Sequence, residues 1–149
     1  GQPLKHSCPS NPLNKQGEAE GEITGGNLSM LCSLNGTPYF PDVRNKILFI
    51  EDVDEYLYHI DRMMMNLSLS GVFHKISGLL IGGMSDMNDN TVPFGKSAEE
   101  IIAEIVEKFN IPVAFSFPAG HISSNMTLIF GRKATLRVRG DECSLSFNP

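Results

Sequence analysis

Apolar side chains recur at intervals of three and four residues in two segments of the chain, which is the period of an amphipathic helix. In the first segment these positions lie between Asp52 and Gly71, at Tyr56, Ile60, Met63, Met64 and Leu67. Asp52 and Glu55 have the spacing of a capping box, and Gly71 suits the left-handed residue that closes a helix. We therefore expect a helix that is capped by Asp52 and ends at Gly71.

A second helix is predicted to open at Ser97, with Glu100 as its capping partner, and to stop before Pro112. Apolar runs between turn residues predict six strands, at 46–50, 76–81, 113–117, 127–130, 134–138 and 143–147. The last three are short and close together, which favours an antiparallel finish. Residues 25–31 fit a short helix and a strand equally well. Together these elements predict a mixed α/β layer fold.

The first 24 residues differ from the rest, because they contain Pro3, Pro9 and Pro12 and almost no large apolar side chain. Such a composition is typical of a connector. We predict an interdomain linker over residues 1–24 and a folded domain over residues 25–149. A chain that begins with a linker is more naturally the second half of a longer protein.

With 149 residues, of which 41% are hydrophobic and 19% charged, the chain is ordinary globular material for one domain. A net charge of −5 and the lack of a basic stripe make nucleic acid an unexpected partner. No apolar run is long enough to cross a bilayer, so no membrane partner is expected. Cys8, Cys32 and Cys143 lack metal-ligand or redox spacing, which favours reduced, structural thiols and a cytoplasmic location.

Two residues with catalytic chemistry come directly after predicted strands or in the turn that follows one. Glu51 follows the apolar run 46–50, and His121 lies in the turn 118–121. A carboxylate and an imidazole are two of the three members of a serine-protease-type relay, in which histidine is the general base. The residues alone leave two alternatives open. Glu51 and Asp52 would be acids attracted to a helix start, and His121 would be a partly buried surface histidine.

Other patterns are weaker. The loop 82–90 offers oxygen ligands but does not match an EF-hand, and the methionines 63–65 fit core packing better than a soft-metal site. The histidines are not grouped as zinc ligands, so we expect no metal and no cofactor, and a metal-dependent hydrolase is disfavoured. Ser116, Ser123 and Ser124 lie near His121 in sequence but in no nucleophile motif.

Five blocks of the chain, in order, carry a more specific signal. They are Gly21 with residues 25–28, residues 36–39, residues 47–52, residues 58–63, and residues 120–121 followed by Asn125, Thr127 and Gly131. With these blocks the chain resembles the C-terminal domain of the serine LD-carboxypeptidases, or muramoyltetrapeptide carboxypeptidases, a family that includes the microcin-immunity peptidases. The resemblance implies a swivelling β/β/α sandwich. One departure is Ile129, where the family usually has proline, and it affects the expected shape of the loop after His121.

The resemblance also implies roles and partners. Glu51 would be the carboxylate and His121 the base of a Ser-Glu-His triad, and the serine would lie in an N-terminal domain that is absent from this chain. The whole protein would remove terminal D-alanine from murein tetrapeptides in the cytoplasm, commonly as a homodimer, whereas this fragment alone would be inactive. The competing hypothesis is a non-catalytic muropeptide-binding or assembly module on the same scaffold.

Overall fold

The structure is a computed structural model that describes residues 4–140 and 142–147. Residues 1–3 of the predicted linker, as well as Asp141 and residues 148–149 of the predicted domain, lie outside this part of the chain. Across the described residues there are seven strands and four helices. The strands are β1 (Leu4–Cys8), β2 (Gly17–Asn27), β3 (Ile47–Val53), β4 (Gly78–Ser85), β5 (Val113–Ala114), β6 (Lys133–Arg139) and β7 (Glu142–Phe147). The helices are α1 (Leu28–Leu34), α2 (Leu57–Leu69), α3 (Val72–Lys75) and α4 (Ala98–Val106).

The longest of these helices, α2, has 13 residues. Within the described residues, no helix is both long enough and apolar enough to cross a membrane.

The strands form one mixed sheet in the order β1-β7-β6-β2-β3-β4-β5. The long strand β2 belongs to both halves of this sheet, because residues 17–22 pair antiparallel with β6 and residues 23–27 pair parallel with β3. The antiparallel half is β1, β7, β6 and the first part of β2, and the parallel half is the rest of β2 with β3, β4 and β5.

Two hydrophobic cores give the fold its three layers. One core joins the helices to the parallel half, and the other joins the parallel half to the antiparallel half. Strand β3 shows the division, because Leu48 and Ile50 belong to the helix-side core while Ile47 and Phe49 belong to the core between the sheets. This alternation is the period of a strand that is buried on both faces. The predicted mixed α/β class and its β/β/α layering are confirmed.

The helix that opens at Ser97 is also confirmed. The Ser97 side chain accepts a hydrogen bond from Glu100 N at 3.2 Å, and the Glu100 carboxylate accepts one from Ser97 N at 2.7 Å, which completes the capping box. Gly71 adopts the predicted left-handed conformation after α2, with φ of +78°.

The predicted cap of α2 is wrong. Helix α2 begins at Leu57, and its N-cap residue, Tyr56, makes no capping hydrogen bond through its side chain. Asp52 instead lies within β3 and accepts a hydrogen bond from Ser29 N at 2.9 Å, at the start of α1. The capping pattern misleads because β3 continues past residue 50, so strand alternation turns Asp52 towards the helix layer. Glu51 and Asp52 are therefore not acids of a first helical turn.

The undecided segment 25–31 contains both alternatives, since β2 ends at Asn27 and α1 follows directly. The Asn27 side chain accepts a hydrogen bond from Met30 N at 3.1 Å and so caps the new helix. Two predicted strands are corrected. Residues 127–130 form a loop, and the strand predicted at 113–117 ends at Ala114, because Ser116 has a left-handed backbone with φ of +56°.

The first 24 residues are not an unstructured connector in the part that the structure describes. Residues 4–8 form β1, and residues 17–24 lie in β2. Few apolar residues suffice there because β1 buries only Cys8, and residues 17–24 of β2 bury only Ala19 and Ile23, while the other side chains stay at least partly exposed. That this segment joins the domain to another one stays a prediction.

Two adjacent glycines in β2 allow a direct test of how closely β2 and β3 pack. Both have positive φ, +120° at Gly25 and +143° at Gly26. A Cβ atom on Gly25 would overlap the carbonyl oxygen of Phe49, whereas one on Gly26 would meet nothing within 4 Å. We expect Gly26→Ala to lower the free energy of unfolding by about 1–3 kcal/mol through backbone strain alone. Gly25→Ala should lower the free energy of unfolding by at least about 2 kcal/mol more than Gly26→Ala does, as measured by urea unfolding. Equal losses of stability in the two variants would contradict this account.

Candidate active site

Glu51 lies near the carboxyl end of β3 at an irregularity in the sheet. Ile50 pairs with Ile81 and Asp52 pairs with Met84, so two residues of β4, Gly82 and Gly83, oppose the single residue Glu51. Such a β-bulge re-aims the side chain beside it. The Glu51 side chain is only 6% exposed, and by strand alternation it points to the side of the parallel half that faces the antiparallel half.

The segment that carries His121 continues along the edge of β4 after β5 has ended. Phe117 N donates to Ile81 O at 2.8 Å, and Gly83 N donates to Ala119 O at 3.0 Å. A Cβ atom on Gly82 would lie 2.5 Å from Ala119 O, so glycine is required for this close approach. The two hydrogen bonds bring the turn at residue 120 next to the end of β3.

The structure brings the two predicted residues together. Glu51 Oε2 lies 2.8 Å from His121 Nδ1, and the same oxygen accepts a hydrogen bond from His121 N at 3.1 Å. Between them, Gly120 has φ of +110°, and a Cβ atom there would lie 2.8 Å from Glu51 Oε2. The carboxylate therefore holds both the ring and the backbone of His121, and a glycine leaves room for it.

This contact fixes the chemistry of the imidazole. A carboxylate only accepts hydrogen bonds, so Nδ1 carries the ring proton and Nε2 keeps its lone pair when the ring is neutral. The His121 side chain is 59% exposed, so the ring stands open to a partner. The hydrogen bond to Glu51 and then its charge raise the pKa of His121, with a smaller contribution from Asp52.

The raised pKa also makes the contact depend on pH. Because the folded state holds the proton more tightly than the unfolded state, the contact stabilises the fold fully below the ordinary pKa of histidine. That stabilisation is lost as the pH rises through the higher pKa of the folded state.

Asp52, next in the chain, has a different task. It is 2% exposed and accepts hydrogen bonds from Ser29 N, Val53 N and Asn27 Nδ2, each at 2.9 Å. These bonds tie the end of β3 to β2 and α1 beside the Glu51–His121 pair. Sequence reasoning missed this anchoring role, and the signal that carries it is the Asn27-x-Ser29 pattern at the junction of β2 and α1.

The weaker candidates do not join this pair. Ser116 Oγ donates to Glu99 at 3.0 Å and accepts from Asn11 at 2.9 Å, so it is engaged elsewhere. Ser123 and Ser124 lie in the exposed loop that follows His121. Within residues 4–140 and 142–147, no three His, Cys, Asp or Glu side chains are grouped as metal ligands. Met64 is fully buried and Met63 packs against the helix-side core, as expected for core packing, but Met65 is 41% exposed and does not fit that prediction.

Comparison with known proteins shows which family the chain belongs to. A family model described as the LD-carboxypeptidase C-terminal domain matches residues 20–136. The chain belongs to the LD-carboxypeptidase family. As an LD-carboxypeptidase C-terminal domain, it carries both Glu51 and His121 within the matched region, which also contains most of β2, all of β3 to β5 and the first part of β6.

Named relatives and a solved structure agree with the family. The LD-carboxypeptidase domain is 39% identical over 124 residues to a Bacillus subtilis (strain 168) protein named "Probable murein peptide carboxypeptidase", a match over 80% of this chain and 38% of the relative. It is 31% identical over 121 residues to the microcin C7 self-immunity protein of Escherichia coli, over 80% of this chain and 35% of the relative. The chain thus spans less than half the length of these curated relatives.

The crystal structure of muramoyltetrapeptide carboxypeptidase from Oxalobacter formigenes superimposes with a TM-score of 0.87 at 30% identity. That superposition covers 99% of this chain and 50% of the other.

The hydrogen bond that His121 donates to Glu51 should be measurable in the titration of His121. We expect Glu51→Gln to lower the pKa of His121 towards about 6.5, the ordinary histidine value, because an amide carries no charge to stabilise the imidazolium. Nuclear magnetic resonance of the ring protons would follow it. The matched control is Glu55→Gln, which removes the carboxylate 3.0 Å from His59 and should leave the His121 midpoint unchanged. An identical His121 midpoint in the two variants would contradict the assignment.

Proposed function

We propose that this chain is the C-terminal half of a serine LD-carboxypeptidase and supplies two members of a Ser-Glu-His triad. His121 acts as the general base and Glu51 as its orienting carboxylate. The nucleophilic serine belongs to an N-terminal domain outside this chain, joined through the segment over residues 1–24. The observation that carries this proposal is the 2.8 Å contact between buried Glu51 and exposed His121.

The burial difference between the two side chains supports these roles. A general base must reach its substrate-side partner, and an orienting carboxylate must not compete for that partner. His121 is 59% exposed and keeps Nε2 for a proton, whereas Glu51 is 6% exposed and contacts His121 through both the ring and the backbone. The raised pKa of His121 makes its imidazole a stronger proton acceptor.

The chemistry that follows is acyl transfer. Nε2 of His121 takes the proton of the serine as its oxygen attacks the amide carbonyl, and it returns that proton to the leaving amine. Glu51 keeps the proton on Nδ1 and stabilises the imidazolium that forms between these steps. In the second half of the reaction, His121 takes a proton from a water molecule, which attacks the acyl group and releases it from the serine. The oxyanion donors come from the domain that carries the serine.

The surface around His121 is consistent with a second domain that faces it. Residues 121–133 are mostly exposed, and they include two large apolar side chains, Met126 at 40% and Phe130 at 49%. Exposed apolar side chains beside a functional residue are typical of a contact surface.

The proposed substrate is a murein tetrapeptide that loses its terminal D-alanine. A Pseudomonas aeruginosa relative, 29% identical over 138 residues, is named murein tetrapeptide carboxypeptidase. A solved structure of the microcin C7 self-immunity protein, 27% identical, holds glutamyl sulfamoyl guanosine. We further propose a cytoplasmic location and a homodimer for the whole protein, as in the family.

Release of D-alanine from a murein tetrapeptide by the natural protein that contains this chain tests the proposal. His121→Ala should lower kcat/KM by about 10³-fold or more, because no base remains to take the serine proton. Glu51→Gln should lower it by about 10²–10⁴-fold through loss of the correct tautomer. Both losses should appear in kcat more than in KM.

Matched control residues come before the amino ends of the parallel strands, whereas Glu51 and His121 lie at the carboxyl ends. His74, in α3, precedes the start of β4, and Glu107 follows α4. His74→Ala and Glu107→Gln repeat the same chemical changes there and should keep activity within about twofold. Activity that survives His121→Ala would overturn the catalytic assignment. Muropeptide binding without hydrolysis by the unaltered protein would instead favour the non-catalytic binding module.

A further inference from the structure

Two cysteines face each other across the outer strands of the antiparallel half. In the register of β1 and β7, Cys8 pairs directly with Cys143. Both belong to the core between the two halves, so both side chains lie on the same face of the sheet. They are 7% and 5% exposed, and both are free thiols. Directly opposed residues of an antiparallel pair have Cα atoms about 4.5–5.5 Å apart, which is within the range that a disulfide spans.

We propose that Cys8 and Cys143 form a reversible disulfide when the protein meets a disulfide oxidant such as glutathione disulfide. This dithiol site lies outside the proposed active site and does not depend on its chemistry. It changes the expectation that all three cysteines are merely structural thiols. Cys32 has no part in it, since that thiol lies in α1 and contacts Met63 O.

The two thiols are not equivalent, and their difference sets the order of the steps. The hydrogen bond to Cys143 and burial raise the pKa of Cys8, whereas the hydrogen bond from Cys8 lowers the pKa of Cys143. These directions favour Cys143 as the thiol that attacks the oxidant, because the thiolate is the nucleophile.

The exchange balances without any further reactant. The Cys143 thiolate attacks one sulfur of glutathione disulfide, which gives a mixed disulfide and releases one glutathione thiolate. Cys8 then loses its proton and attacks Sγ of Cys143, which releases the second glutathione. The two protons of the cysteines end on the two released glutathione molecules. Two protein thiols are oxidised and one glutathione disulfide is reduced.

The position of the pair offers an approach route despite its burial. Strand β1 has a sheet neighbour on one side only, so local opening at this edge exposes the pair more readily than it would a central strand.

Peptide mapping of the natural protein tests the proposal. The folded protein is incubated with glutathione disulfide, free thiols are alkylated under denaturing conditions, and the protein is digested without reduction. We expect the peptides that contain residues 8 and 143 to be joined, with Cys32 alkylated, and reduction should separate them. Alkylated or singly glutathionylated Cys8 and Cys143 in separate peptides would overturn the proposal.

Matched variants locate the bond and its effect. Cys32→Ala should keep the joined peptides, and Cys143→Ala should abolish them. Hydrogen exchange of the β1 amides reports whether each variant is folded, and it should slow by roughly tenfold or more on oxidation of the unaltered protein but not of Cys143→Ala. A joined pair without slower exchange would contradict a bond formed within the native strand pairing.

Discussion

The parallel half of the sheet is packed on both of its faces, and this double burial decides where each functional side chain lies. Every residue of β3 from Ile47 to Asp52 is buried. Alternation along the strand sends Glu51 towards the antiparallel half and Asp52 towards the helices. One carboxylate then holds His121 and the other holds the start of α1. A shift of β3 by one residue would exchange the two, so the same register that builds both cores also builds the site.

The close approach of the loop around residue 120 depends on missing side chains. Gly82 and Gly120 lie where a methyl group would strike the neighbouring segment or the Glu51 carboxylate itself. The nearly buried carboxylate is compensated by two hydrogen bonds from one residue, His121. The backbone geometry of these glycine-containing segments, more than a cluster of polar residues, thus leaves His121 exposed and Glu51 buried.

Much of this arrangement could be predicted from the sequence, but not all of it. The apolar runs that become β3 and β4 and the capping box at Ser97 have local patterns that residue chemistry explains. Glu51 and His121 were candidates from their chemistry, but their pairing rested on the family resemblance. The role of Asp52 was missed, because its partner Ser29 lies 23 positions away and meets it through the pairing of β2 with β3, which the Asn27-x-Ser29 pattern alone does not indicate. The edge strand β1 was not predicted, because its pairing also depends on residues that are distant in sequence. Its polar residues lack any local signal, and its one buried residue, Cys8, pairs with Cys143 near the other end of the chain.

The pairing of β1 with β7 also sets how the domain would respond to a pulling force. Leu4 lies opposite Phe147, so both ends of the described chain leave the sheet side by side. Tension between these ends would separate β1 from β7 one residue pair at a time, and each step would break only a few hydrogen bonds. The separation would reach the pair of Cys8 and Cys143 last within this ladder. A covalent bond at that position would keep β1 attached to β7 even after every hydrogen bond between the two strands had broken.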